Sequence, residues 1–111
     1  MLELEKVLYA RGSHVAGLLP HEASGIQGFS QRMVAPENQL RPYPEVVAAV
    51  PRGGCAIHHC LTAHRSGPNV TDRRRRAIVA DYRTVAASES EPLRQKVDRE
   101  RNELLKRLGG G

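Results

Sequence analysis

Short apolar segments separated by turns rich in glycine and proline restrict most of this chain to a β architecture. Four such segments predict strands, at residues 2–9, 46–50, 55–61 and 75–83. Pro51-Arg52-Gly53-Gly54 predicts a tight turn between the second and third of them. These spacings favour an antiparallel sheet with hairpin connections. Residues 16–44 contain seven glycines and prolines and predict a long loop.

The C-terminal segment has a different pattern. Ser90-Glu91-Pro92 predicts the start of a helix, because proline is favoured in a first helical turn. A narrow apolar stripe follows within dense charge and ends at three glycines. The stripe favours a surface helix packed on the sheet, and self-association through this helix is the alternative. With 111 residues, we expect one small β domain at residues 1–87, followed by an amphipathic helix and glycine tail at residues 88–111.

Composition narrows the possible partners and the compartment. The net charge of +5 and pI of about 9.8 suit an anionic partner. The chain has no apolar run long enough to cross a bilayer and no apolar core after a basic start, so neither a membrane span nor a signal peptide is predicted. Two cysteines make no disulfide framework, and we expect a cytoplasmic protein.

Five potential metal ligands lie within ten residues of one another: Cys55, His58, His59, Cys60 and His64. Structural zinc prefers paired ligands from two separated segments, whereas this chain has a single cluster. On a strand, His58 and Cys60 would share a face and His59 would point away from it. The spacing therefore disfavours a zinc site.

His64 and Arg75 suggest a different chemistry. His64 begins the turn-rich segment Arg65-Ser66-Gly67-Pro68-Asn69, and Arg75 follows eleven residues after it, where a returning strand would bring it alongside. An iron ligand beside a two-pronged guanidinium would hold a chelating oxo-acid, with the metal at its keto end and arginine at its far carboxylate.

At these residues the chain resembles the phytanoyl-CoA dioxygenase family of non-haem iron, 2-oxoglutarate-dependent oxygenases, over roughly residues 7–83. The most specific element is His-x-Ser-Gly-Pro-Asn with arginine at +11, and the turn Arg11-Gly12-Ser13-His14 adds to it. The resemblance implies a double-stranded β-helix, a cupin-like jelly roll, here only in part. Fe(II) and 2-oxoglutarate are the implied cofactor and co-substrate, and a small molecule is the implied substrate.

The resemblance also implies roles for individual residues. His64 matches the distal iron ligand, Arg75 matches the arginine that binds the 2-oxoglutarate carboxylate, and Ser66 matches a position that assists it. His14 is structural in this comparison, while His58 and His59 line or support the pocket wall.

One departure from the family is severe. The family's other two ligands form a His-x-Asp or His-x-Glu pair, which this sequence lacks, and His21-Glu22 are adjacent. A facial triad needs two histidines and a carboxylate on one face of the metal, and one of the three is present. A milder departure is Gly53-Gly54 where the family often has Gly-Asp. We therefore expect the C-terminal portion of an Fe(II)/2-oxoglutarate-dependent dioxygenase, incomplete or inactive as an isolated chain.

Two other functional classes stay open. The run Arg73-Arg74-Arg75-Arg76 is compatible with nucleic-acid binding, although it leads directly into an apolar segment and no aromatic side chain lies close to it in sequence. The other alternative is a non-catalytic structural or interaction module derived from the oxygenase fold.

Overall fold

The computed structural model of the protein describes residues 6–27 and 29–109. It is mainly β, with antiparallel sheets and a C-terminal helix. The described residues divide into two compact units, one of residues 6–19 and 35–79 and the other of residues 20–27, 29–34 and 80–109. The elements in chain order are β1 (Lys6–Ala10), β2 (His21–Ile26), β3 (Phe29–Met33), α1 (Pro36–Gln39), β4 (Glu45–Ala49), β5 (His64–Ser66) and α2 (Glu91–Arg107).

The first unit is built on an antiparallel sheet in the order β4-β1-β5. Tyr9 in the central strand lies opposite Val46 on one side and His64 on the other. A single 3-10 turn, Ser13–Ala16, follows β1, and Gly12 before it adopts a left-handed conformation with φ of 83°. Such a φ favours glycine, because a Cβ atom would crowd the neighbouring carbonyl.

The core of this unit is small and centres on a buried serine. Ser13 is completely buried, and its Oγ accepts a hydrogen bond of 2.8 Å from the amide of Ala63. The Ala63 carbonyl accepts a hydrogen bond of 2.9 Å from the amide of Ala10, and both alanines are buried. The segment preceding β5 is thereby attached to the end of β1.

The second unit consists of a hairpin and the long helix. β2 and β3 pair antiparallel, with an irregular register between Ala23 and Ile26 where Gly25 has a φ of 72°. Helix α2 contacts both strands, Leu104 is buried, and the Lys96 ammonium group donates a hydrogen bond of 3.1 Å to the carbonyl of His21. Pro92 stands in the first turn of α2.

The structure confirms several sequence predictions. The first strand is present as Lys6–Ala10, with predicted residues 2–5 outside the described part, and the second is present as Glu45–Ala49. The turn after it is closed by a hydrogen bond of 2.7 Å from the Gly54 amide to the Pro51 carbonyl. The helix predicted from Pro92 onward is present as α2.

Three predictions of local structure are wrong. The loop predicted at residues 16–44 instead includes the β2–β3 hairpin and α1. The segments predicted as strands at residues 55–61 and 75–83 belong to no ladder among the described residues. Strand preference reflects packing on a half-buried sheet surface, and these segments lack such packing: Ile57 is 94% exposed and Ile78 is 99% exposed.

Within residues 6–27 and 29–109, no helix is both long and apolar enough to cross a membrane.

Candidate metal and oxo-acid site

His64 begins the edge strand β5, and a hydrogen bond to the main chain fixes the orientation of its ring. The Nδ1 atom donates a hydrogen bond of 2.9 Å to the carbonyl of Thr62. Side chains alternate between the two faces of a strand, so His64 and Ser66 project from one face and Arg65 from the other. Both His64 and Ser66 are exposed.

Arg65 fixes the short strand β5 to β4 on the opposite face of the sheet. Its guanidinium makes two hydrogen bonds of 2.8 Å to the two carboxylate oxygens of Glu45. This two-pronged hydrogen bond lowers the pKa of Glu45 and raises the pKa of Arg65. Across the central strand, Glu45 lies opposite Ala10 and Arg65 lies opposite Leu8.

Arg75 returns to the end of β5 through a loop organised by Asn69. The Asn69 side chain donates to the Arg73 carbonyl at 2.5 Å and accepts from the amide and hydroxyl of Thr71 at 3.1 and 2.7 Å. The half-buried Arg75 then donates from Nη2 to the Gly67 carbonyl at 2.7 Å. Asparagine suits this position because its short amide bonds nearby backbone groups. Arg75 thus reaches the residue that follows Ser66, without the strand pairing expected from the sequence.

Three aromatic side chains form a cluster on the His64 face. The His58 and His64 ring centres lie 4.7 Å apart, and those of Tyr9 and His64 lie 5.9 Å apart. The Tyr9 hydroxyl shares a hydrogen bond of 2.8 Å with Nδ1 of His58. We call Tyr9, His58 and His64 the imidazole–phenol cluster. The sequence marks His58 as a pocket-wall residue but gives no sign that Tyr9, 49 positions earlier, would orient it.

His59 occupies a different environment from its neighbour. Its Nδ1 accepts a hydrogen bond of 3.1 Å from the Leu61 amide and lies 3.9 Å from the Cys60 sulfur. Its ring centre is 5.6 Å from that of His14. An Nδ1 that accepts from an amide carries the lone pair, so in neutral His59 the proton is on Nε2. His59 therefore stabilises its own turn.

Buried Ser13 is a structural residue whose importance sequence reasoning missed. Its hydroxyl holds Ala63, directly before His64, through the hydrogen bond described above. The Gly-Ser-His turn in the sequence was the available signal. The sequence alone indicates a family feature there and does not indicate its contact with Ala63.

The residues present fit only part of an iron site. Iron in a facial triad requires three protein ligands including a carboxylate. Across the described ranges, no three His, Cys, Asp or Glu side chains are grouped closely enough to hold a metal ion. His64 offers one imidazole that can bind a metal and Arg75 one guanidinium that can bind a carboxylate, and the described residues around them form no complete triad.

Comparison with known proteins identifies one family. A family model described as phytanoyl-CoA dioxygenase (PhyH) matches residues 7–77, which is 71 of the 111 residues. The match includes the imidazole–phenol cluster, Ser66 and Arg75. No curated protein and no solved structure matches the chain significantly.

Proposed function

The chain belongs to the phytanoyl-CoA dioxygenase family, and from this premise we propose that it is part of an Fe(II)- and 2-oxoglutarate-dependent dioxygenase that hydroxylates a small molecule. In this proposal the chain contributes one iron ligand and the residues that bind the 2-oxoglutarate carboxylate. The observation that supports the proposal best is the arrangement at the end of β5. His64 and Ser66 share a face, and the Arg75 guanidinium is hydrogen-bonded to the adjacent residue, Gly67.

The proposed roles follow from the chemistry of each group. With Nδ1 bound to the Thr62 carbonyl, the neutral His64 ring presents its lone pair on Nε2, the form that coordinates a metal. The Arg75 guanidinium uses one nitrogen for Gly67 and keeps further N–H donors for the distal carboxylate of 2-oxoglutarate. Ser66 adds a hydroxyl donor to the same carboxylate.

We further propose that the isolated chain is inactive or nearly so, as an incomplete portion of such an enzyme. It has no His-x-Asp or His-x-Glu pair, and its sheet of β4, β1 and β5 would be one part of a cupin-like jelly roll. Residues 1–87 would belong to that domain and residues 88–111 would form an appended helix. The cysteines are free, in keeping with a cytoplasmic location.

Binding of the co-substrate tests the proposal without requiring turnover. Calorimetric titration with 2-oxoglutarate should give weak binding that Arg75→Lys reduces further, because lysine lacks the two-pronged geometry. Arg74→Lys is the matched control, since Arg74 is the exposed neighbour in the same loop. Equal affinity of wild type, Arg75→Lys and Arg74→Lys would contradict the role proposed for Arg75. Turnover to succinate by the isolated chain would contradict the proposed inactivity.

A further inference from the structure

The contact between His58 and His64 indicates a second metal ligand beside the single one proposed above. The two imidazole centres are 4.7 Å apart and their planes are inclined by 45°. Both rings are exposed, so an ion can reach them from solvent.

The separation of the rings matches that of two imidazoles on one metal ion. A metal about 2.1 Å from each Nε2 lies about 3.2 Å from each ring centre, so N–metal–N angles of about 90–109° place the centres about 4.5–5.2 Å apart. The observed 4.7 Å falls within this interval. The His14–His59 pair, at 5.6 Å, lies outside it.

The hydrogen bonds on the two rings also support a shared metal ion. Metal-binding histidines characteristically use their second nitrogen as a donor to a carbonyl or another oxygen. Nδ1 of His64 donates to the Thr62 carbonyl, and Nδ1 of His58 is bonded to the Tyr9 oxygen. When the proton of that second bond is on Nδ1, both rings carry their lone pairs on Nε2. The bond from the Leu61 amide gives His59 the opposite arrangement.

We infer that His58 and His64 form a two-histidine site for a divalent transition metal, with Tyr9 as the positioning residue for His58. The inference rests on the proposed function only in taking His64 as a metal ligand. Two imidazoles without a carboxylate favour borderline ions, in the order Ni²⁺ above Co²⁺ above Fe²⁺. Solvent or a small chelating acid fills the other coordination positions.

Calorimetric titration with Ni²⁺ alone tests the site on the full chain. Wild type should bind one ion more tightly than it binds Fe²⁺ measured anaerobically. His58→Gln and His64→Gln should each weaken binding by about tenfold or more, and Tyr9→Phe by about tenfold through loss of the second-nitrogen partner. His59→Gln and His21→Gln are matched histidine controls and should leave the affinity unchanged. Far-UV circular dichroism checks that each variant keeps its fold.

The possible outcomes separate this inference from the proposed function. Loss of Ni²⁺ binding in His64→Gln but not in His58→Gln would overturn the two-histidine site and leave His64 as a ligand. Unchanged binding in both variants would overturn the site together with the metal role of His64. Loss in His59→Gln alone would place the ion on the other histidine pair and overturn the inference. Intact Ni²⁺ binding with 2-oxoglutarate affinity indifferent to Arg75→Lys would leave the site standing and contradict the co-substrate assignment.

Discussion

Replacing Ser13 with alanine removes the hydroxyl oxygen that accepts the Ala63 amide hydrogen in the core of the first unit. The bond is 2.8 Å long, Ser13 has no exposed surface, and Ala63 is buried. The substitution therefore leaves a buried N–H group without its acceptor, which costs about 1–3 kcal/mol. The Ala10-to-Ala63 bond stays available, so we expect destabilisation without loss of the sheet.

Urea unfolding followed by circular dichroism measures this effect. For a small protein with an m-value of about 2 kcal/mol/M, a loss of about 2 kcal/mol lowers the midpoint by about 1 M. Hydrogen exchange gives a second, local measurement, because the Ala63 amide should exchange faster in Ser13→Ala. Ser66→Ala, at an exposed serine of the same unit, is the control. The reasoning is refuted if Ser13→Ala unfolds within about 0.5 kcal/mol of wild type and the Ala63 amide keeps its protection.

Three further predictions test other features of the fold. Gly12→Ala should cost about 1–2 kcal/mol, because alanine is strained at a φ of 83°, and the urea midpoint should fall accordingly. Leu104→Ala should destabilise α2 by about 2–5 kcal/mol, because Leu104 is 9% exposed. Leu105 is 47% exposed, so Leu105→Ala should have a much smaller effect when the loss of helical circular dichroism is followed as urea is added. Glu45 has a lowered pKa in the folded chain, so its pair with Arg65 stabilises the fold above the ordinary pKa of 4.5 and the stabilisation is lost as the pH falls through the lower folded value. Arg65→Gln should return the carboxyl pKa, measured by NMR titration, to its ordinary range; an unchanged titration would contradict this cause.

The parts of the fold that could be predicted from sequence are those fixed by local chemistry. The β4 segment ends where proline and glycines impose a turn, and the observed bond between Gly54 and Pro51 closes that turn. Helix α2 begins next to Pro92 and buries Leu104 from its apolar stripe. In both cases neighbouring residues determine the conformation, so tertiary structure is not needed to infer it.

The β2–β3 hairpin could not be predicted in this way. Its segment is rich in glycine and has little alternation, which is the usual signature of a loop. Pairing depends on backbone hydrogen bonds, and these tolerate irregular side-chain patterns when a glycine absorbs the distortion. Gly25, with its φ of 72°, stands within the irregular part of the ladder.

Within the described part of the chain, strands are predicted but not formed where an apolar segment has no neighbouring strand to pair with. Residues 75–83 have the composition of a strand, yet Ile78 and Tyr82 are 99% and 94% exposed. A sequence pattern indicates that a segment can form a strand. Whether a partner strand is available depends on residues that are distant in sequence. The same limit applies to Arg75, which reaches Gly67 through the loop of Asn69 and not through the expected hairpin.

The candidate site shows the same division between local and non-local information. A motif within twelve residues of sequence, His-x-Ser-Gly-Pro-Asn with arginine at +11, is sufficient to single out His64, Ser66 and Arg75 as candidates. The difference between His58 and His59 depends on the hydrogen-bond partner of each Nδ1. Nδ1 of His58 bonds the Tyr9 hydroxyl, which is distant in sequence, and Nδ1 of His59 bonds the amide of Leu61, two residues later. The Leu61 amide can only donate, so His59 keeps its proton on Nε2, whereas the Tyr9 hydroxyl can also accept and so allows His58 to carry its proton on Nδ1. Only His58 can therefore present a lone pair beside His64 while keeping its observed hydrogen bond, and this distinction gives the proposed metal site its specific test.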